Sequence, residues 1–135
     1  MSFTAEAEMA VAVQESITSV DMVTEAALDL YRARVDEANE MALAEFIDAP
    51  KVVGSMRAIV APRERIVEVV LDDESAPEDL IEVAWVVSDR AWNLNVLVAL
   101  DRLGDAHTAL RGTPATLQGW WLADGAVHFA GFERP

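Results

Sequence analysis

The two histidines, His107 and His128, are the first residues to test for chemistry, because a histidine can act as acid, base or metal ligand near neutral pH. Neither has a second histidine three or four residues away, and neither has a glutamate three residues before it. Helical zinc sites and di-metal carboxylate sites need such spacings. The pattern therefore predicts no metal and no cofactor.

The sequence also contains no motif that supports nucleophilic catalysis. The chain has no cysteine and no Gly-x-Ser-x-Gly turn, and Gly54-Ser55 does not lie in a phosphate-loop pattern. The acidic run of residues 72–74 lacks the alternation and the mid-loop glycine of a calcium loop. We expect no catalytic residue, and we expect the protein not to be an enzyme.

Charge is the most informative property of the chain. A formal net charge of -14 accompanies a hydrophobic fraction of 53%, so the protein should fold and present a strongly negative surface. Such a surface repels nucleic acid and anionic membranes and attracts basic partners. The basic residues are nearly all arginine, Lys51 being the single lysine. A salt-adapted protein would show the same composition, and its acidity would then say nothing about partners.

Two charged groups are candidate binding features. Asp29, Asp36 and Glu40 lie on the polar face of a predicted helix and could engage a basic groove. The opposite charge is concentrated in one island, formed by Lys51, Arg57, Arg63 and Arg65. This island could hold a phosphate or a carboxylate, but we favour pairing with the neighbouring acids.

Helices are predicted for residues 4–17 and about 20–47, with Ser19 as a possible N-cap and Pro50 beyond the end. The second of these would be about 40 Å long at 1.5 Å per residue. That length exceeds the needs of a small domain. It suggests packing against a partner helix, for example from a second copy of the chain.

A β-hairpin is predicted next, with strands over 52–60 and 66–71. A helix should begin near residue 76 and continue to about 103, although residues 96–98 favour a strand. Its apolar residues form two faces, and Trp85 and Trp92 lie on the second, which predicts burial on both sides. Residues 104–118 are expected to form a short helix and a loop.

The C-terminal stretch contains the clearest turn signal, Asp124-Gly125, which is typical of a two-residue type I′ hairpin. The register that follows pairs Trp120 with Phe129 on one face and Trp121 with His128 on the other. Such a Trp–His pair is more typical of cross-strand packing than of a ligand site.

Residues 56–73, with the Pro-Glu-Asp-Leu helix start at 77–80, resemble the YbaB-type nucleoid-associated family in layout. The resemblance covers less than half of the chain. It implies a dimeric α+β protein. The DNA binding that it would also imply conflicts with the acidity, because duplex binding depends on phosphate neutralisation.

The sequence thus predicts one α+β domain over residues 1–135, with long N-terminal helices, a β-hairpin, a buried central helix and a C-terminal β-hairpin. The acidic N-terminus and the short apolar stretches predict a cytoplasmic protein without a membrane span.

Three functional hypotheses follow. The first is a non-enzymatic protein–protein interaction module that also associates with itself, as a homodimer or a higher oligomer. The second is an acidic inhibitor that mimics nucleic acid through the carboxylates of Glu25, Asp29, Asp36 and Glu40. The third is a small-molecule binder or an enzyme, with a pocket formed by Trp85, Trp92, Trp121 and His128.

Overall fold

The computed structural model describes residues 3–35, 37–48, 52 and 56–135, with the backbone alone for residues 3–18. Within these residues the chain forms a six-stranded mixed sheet between two layers of helices. The elements are, in chain order, α1 (Phe3–Arg34), β1 (Asn39–Ala42), α2 (Leu43–Phe46), β2 (Arg57–Ala61), β3 (Ile66–Val70), α3 (Ile81–Asp89), β4 (Asn93–Ala99), α4 (Leu103–Ala109), β5 (Thr116–Ala123) and β6 (Ala126–Glu133). Short 3-10 turns, Pro77–Leu80 and Leu100–Arg102, precede α3 and α4.

The strands lie in the sheet in their order along the chain. Strands β1, β2 and β3 are antiparallel to one another, β3, β4 and β5 are parallel, and β6 returns antiparallel to β5. Parallel neighbours need a crossover connection, and α3 and α4 supply it. Both crossover helices pack on one face of the sheet, and α1 covers the other.

The side chains of β3 point alternately to the two faces of the sheet, so one strand contributes to the core on both faces. Val67 and Val69 face the cluster under α3 and α4, whereas Val70 faces the cluster under α1. A strand that is buried on both faces needs apolar residues at consecutive positions, and β2, β3 and β4 have them. These three strands therefore form the centre of the domain.

One residue of β3 breaks this apolar run. Glu68 is only 1% exposed, and it points to the α1 face, where the hydroxyl of Tyr31 donates to its Oε2 at 3.3 Å. The Asn95 Nδ2 donates in turn to the Tyr31 hydroxyl oxygen at 3.0 Å, and the Thr116 hydroxyl contacts Asn95 Oδ1. The buried network therefore joins α1 to β3, β4 and β5.

The α+β class and both hairpins are confirmed. The first hairpin pairs β2 with β3 around the turn at residues 62–65, but its first strand begins at Arg57 rather than at residue 52. The second has the predicted register, with Trp120 opposite Phe129 and Trp121 opposite His128.

The predicted N-terminal helices were wrong in extent. One continuous helix runs through Thr18 and Ser19, so Ser19 is not an N-cap. It ends at Arg34, and residues 39–42, predicted as helix, form β1 instead. The apolar residues of this stretch also suit a strand. The pairing of β1 with β2 favours the strand over the helix. It gives hydrogen-bond partners to backbone N–H and C=O groups that would have none at the end of a helix. Pro50 lies outside the described residues.

The helix predicted to reach about residue 103 was also wrong. It ends at Asp89, and Ala91 has a φ of 62°, which turns the chain into β4. Residues 96–98 are buried on both faces between β3 and β5, where a continuous apolar run is expected of a strand. Gly104 lies in the first turn of α4 instead of after a helix end.

The buried carboxyl group should make stability depend on pH. Burial raises the pKa of Glu68 from 4.5 to about 7, and the Tyr31 hydrogen bond and the charge of Arg34 offset only part of that rise. A carboxyl group with a raised pKa favours the folded state while it is protonated. The free energy of unfolding should therefore fall as the pH rises from about 4.5 to about 7, and level off above.

Glu68→Gln stays neutral and keeps an oxygen for the Tyr31 hydroxyl. In urea titrations at several pH values, its advantage over the wild type should grow across this window by about 3 kcal/mol. A difference between the two proteins that does not change with pH would contradict the assignment.

Candidate protein-binding surface

A cavity of about 570 Å³ lies where the parallel strands β3, β4 and β5 end. Parallel strands bring their carboxyl ends to one end of a sheet, so three loops meet there. Eleven residues from α1 and these strand ends line it: Ser19, Val20, Leu71, Asp73, Ala99, Leu100, Asp101, Arg102, Trp120, Trp121 and Leu122. We call this region the carboxyl-end surface.

The C-terminal hairpin positions its tryptophans. Asp124 and Gly125 have φ values of 54° and 74°, as a type I′ turn requires at both central positions. The turn fixes the register that sets Trp121 opposite His128, and their rings stack with centroids 5.4 Å apart and an interplanar angle of 17°. The His128 Nε2 lies 3.3 Å from the Ala123 carbonyl oxygen. His128 therefore supports Trp121 from outside the cavity.

Apolar side chains are unusually exposed around this cavity. Leu100 and Leu122 are each 47% exposed and Trp121 is 37% exposed. They are three of the eight large hydrophobic side chains that are exposed among the described residues, and all three line one cavity. Several exposed apolar side chains around one cavity, in contrast to scattered single residues, are typical of an interaction site.

The rim of the cavity is acidic. Asp73 and Asp101 are exposed and line it, and Arg102 is the one basic residue among its lining. The two terminal nitrogens of Arg102 donate to the carbonyl oxygens of Asp72 at 2.8 Å and Ser75 at 2.7 Å. The Arg102 guanidinium therefore holds the loop after β3 in place. An approaching molecule meets mainly the negative charges of Asp73 and Asp101.

Trp120 forms part of the wall, and its ring packs against the core under α1. Its indole Nε1–H is buried and has no acceptor among the described residues. A buried donor without a partner costs about 1–3 kcal/mol. Hydrogen bonding is thus less complete at this wall than elsewhere in the described residues.

The other predicted aromatic residues lie elsewhere. Trp92 comes just before β4 and packs on Phe46, with ring centroids 5.0 Å apart. Trp121 lies beyond the other end of β4, about 20 Å away by the rise of seven strand residues. Trp85 is 50% exposed on α3. The structure therefore does not form the predicted pocket of Trp85, Trp92, Trp121 and His128.

The predicted acidic face is partly assembled. Asp29 and Glu40 line one cleft with Asp21 and Glu25, although Glu40 comes from β1 and not from the helix. Asp36 lies outside the described residues. In the part of the chain that the structure describes, no group of three or more acids or histidines could hold a metal ion.

The described arginines of the basic island lie at opposite ends of the β2–β3 hairpin. Arg57 pairs with Glu40 through Nε and Oε1 at 2.8 Å, as favoured from the sequence. Arg63 and Arg65 lie in the turn between β2 and β3. Lys51 lies outside the described residues.

Sequence reasoning did not single out Leu100, Asp73 or Asp101 as binding residues. Leu100 and Asp101 fell within a predicted helix, and Asp73 was considered only as part of a calcium loop. The signal that could have found them is topological, since each follows a parallel strand directly or within a few residues.

Comparisons with protein-family models, with curated proteins and with solved structures find no match to the chain. The YbaB-type resemblance stays a prediction. Within the described residues, no helix combines the length and the apolar character that crossing a lipid bilayer requires.

The hairpin turn offers a direct test of how Trp121 is positioned. Gly125→Ala should lower the free energy of unfolding by about 1–2 kcal/mol, because an alanine is strained at a φ of 74°. Gly131→Ala is the matched control, since an added Cβ meets nothing within 4 Å at either position and Gly131 has no such φ. Urea denaturation measures both. Equal effects of the two substitutions would contradict the type I′ turn.

Proposed function

We propose that this chain is a non-enzymatic protein-interaction module that binds a basic segment of a partner protein at the carboxyl-end surface. One observation carries the proposal: Leu100, Trp121 and Leu122 are exposed together around a cavity whose rim carries Asp73 and Asp101. Apolar area would provide the affinity, and the acids would select the partner.

Trp121 is the expected anchor of the interface. Tryptophans are enriched among the residues that dominate binding energies, above all in pockets that binding closes to water. Stacking on His128 already restricts the Trp121 ring, so little conformational entropy would be lost when a partner covers it. An apolar side chain of the partner would enter the cavity between Trp121 and Leu100.

Charge complementarity defines the partner. With a net charge of -14, the protein attracts cationic segments from a distance and repels anionic ones. An arginine or a lysine beside the partner's apolar anchor would face Asp73 or Asp101. A second copy of this chain is a poorer occupant, since two acidic rims would face each other. Self-association, predicted from the sequence, is therefore expected at another surface.

A second candidate function is mimicry of nucleic acid, and one observation favours it. Asp21, Glu25, Asp29 and Glu40 line a single cleft of about 360 Å³ between α1 and β1. A row of carboxylates can replace phosphates in the basic groove of a nucleic-acid-binding protein. This function would use a different surface, so variants separate it from the first.

Selection from a displayed peptide library on the immobilised protein tests the main proposal. We expect enriched peptides to combine arginine or lysine with a large apolar residue. A synthetic version of the best peptide should bind Trp121→Ala at least about 10-fold more weakly than the wild type, a typical loss for an anchor residue. Asp101→Asn should bind more weakly at low salt and approach the wild type at high salt.

Trp85→Ala is the matched control, because Trp85 is an equally large and more exposed aromatic residue on a different element. It should bind as the wild type does. Equal losses in the two tryptophan variants would contradict the proposal. Loss of binding in the combined variant Asp21→Asn, Glu25→Gln and Asp29→Asn, with Trp121→Ala unaffected, would support mimicry in its place.

A further inference from the structure

The buried network around Glu68 lies beneath a second cavity, at the opposite end of the sheet. This cavity has a volume of about 490 Å³ and lies where β3, β4 and β5 begin, between the end of α1 and the end of β6. Its lining consists of Tyr31, Arg34, Val35, Ile66, Asn93, Leu94, Asn95, Pro114, Thr116, Phe132 and Arg134. We call it the amino-end cavity. Neither the protein-binding proposal nor the sequence patterns assign it a role.

Two arginines stand at the mouth of this cavity, in a chain that has 24 acids and 10 bases. Arg34 places its guanidinium 5.5 Å from the centroid of the Tyr31 ring, and its Nε donates to the Leu30 carbonyl oxygen at 3.3 Å. Both Arg34 and Arg134 are exposed, and neither forms an ion pair with a carboxylate among the described residues. Their terminal nitrogens are therefore open to an anion.

The interior of the cavity adds neutral polar groups and an apolar wall. Asn93, Asn95 and Thr116 supply amide and hydroxyl groups near the network, and none of them carries a charge. Five apolar residues complete the wall: Val35, Ile66, Leu94, Pro114 and Phe132. A few polar groups in a mostly apolar pocket of several hundred Å³ are typical of small-molecule sites.

From these groups we infer that the amino-end cavity binds a small organic carboxylate with an aromatic or branched aliphatic body. A guanidinium presents paired N–H donors that match the two oxygens of a carboxylate. The ligand's carboxylate would lie between Arg34 and Arg134, and its apolar body would lie on Phe132, Ile66 and Val35. This inference goes beyond the proposed protein binding and does not depend on it.

Glu68 should make the binding depend on pH. It lies behind Tyr31 and Asn95, and its ionised form adds a negative charge beneath an anionic ligand. Its neighbours in the sheet, Ile59 on β2 and Asn95 on β4, carry no charge. From α1 it is faced by Tyr31, whose pKa burial and the charge of Glu68 raise well above the ordinary value, and by the Arg34 charge. Ionisation of Glu68 near pH 7 would thus oppose the ligand.

Isothermal titration calorimetry with phenylacetate tests the inference. We expect a Kd on the order of 0.1–1 mM at pH 6, which is reasonable for a ligand of this size. Arg34→Gln and Arg134→Gln should each weaken binding by about 10-fold, a usual loss for one charged hydrogen-bonding partner. Arg111→Gln, which removes an exposed arginine outside the cavity, should leave it unchanged.

Two further ligands separate the contribution of the ligand's charge from that of its apolar body. Phenylacetamide, which lacks the charge, should bind much more weakly than phenylacetate, and inorganic phosphate, which lacks the apolar body, should do the same. Binding of phosphate as tight as that of phenylacetate would contradict the apolar part of the site. Absence of phenylacetate binding, or equal binding by Arg34→Gln and the wild type, would overturn the inference.

The pH dependence has its own control. Wild-type affinity for phenylacetate should fall roughly 5-fold between pH 6 and pH 8, as expected for one added charge that is partly screened. In Glu68→Gln this fall should nearly disappear. An unchanged fall in that variant would exclude Glu68 as its cause. Trp121→Ala should bind phenylacetate as the wild type does, so that failure of the protein-binding proposal can be told from failure of this one.

Discussion

A carboxyl group buried in the middle strand of the sheet is the constraint on which the arrangement of this domain depends. Glu68 is the one carboxylate or basic side chain among the buried residues of the described chain. It has to find polar partners there, because an unsatisfied buried carboxyl group is costly. Apolar contacts alone would let α1 slide or rotate on the sheet. The hydrogen bond from Tyr31 to Glu68, continued through Asn95, selects one position for the helix.

The position of α1 links the two ends of the sheet. The helix contributes Val20 to the carboxyl-end surface and Tyr31 and Arg34 to the amino-end cavity. The two regions differ in charge: acids and exposed apolar side chains surround the first, and arginines open onto the second. A domain of strongly negative net charge thus keeps a local site suited to anions, because the arginines there are not neutralised by the acids that dominate elsewhere.

Local signals explain what the sequence could predict. The register of the C-terminal hairpin follows from a two-residue turn and its immediate neighbours, so Trp121 and His128 were paired correctly. Residues 94–98 carry an apolar run that suits a helix or a strand, and only the flanking strands β3 and β5 decide between them. The pairing of Arg34 with Arg134 across one cavity joins residues about a hundred positions apart, and no local pattern marks it. Glu68 is different, because its position could have been predicted from the sequence. A single carboxylate inside an apolar strand indicates a buried acid.

The strand order described above has a consequence for how the domain is made. Every strand pairs with its neighbour along the chain, so each pairing becomes possible once the next strand has been synthesised. A chain that emerges from the ribosome could assemble β1 to β4 before β5 and β6 have been synthesised. Phe132 and Arg134 follow all the core strands along the chain, and the hairpin that carries Trp121 closes only with β6. Both proposed binding regions would therefore mature after the core.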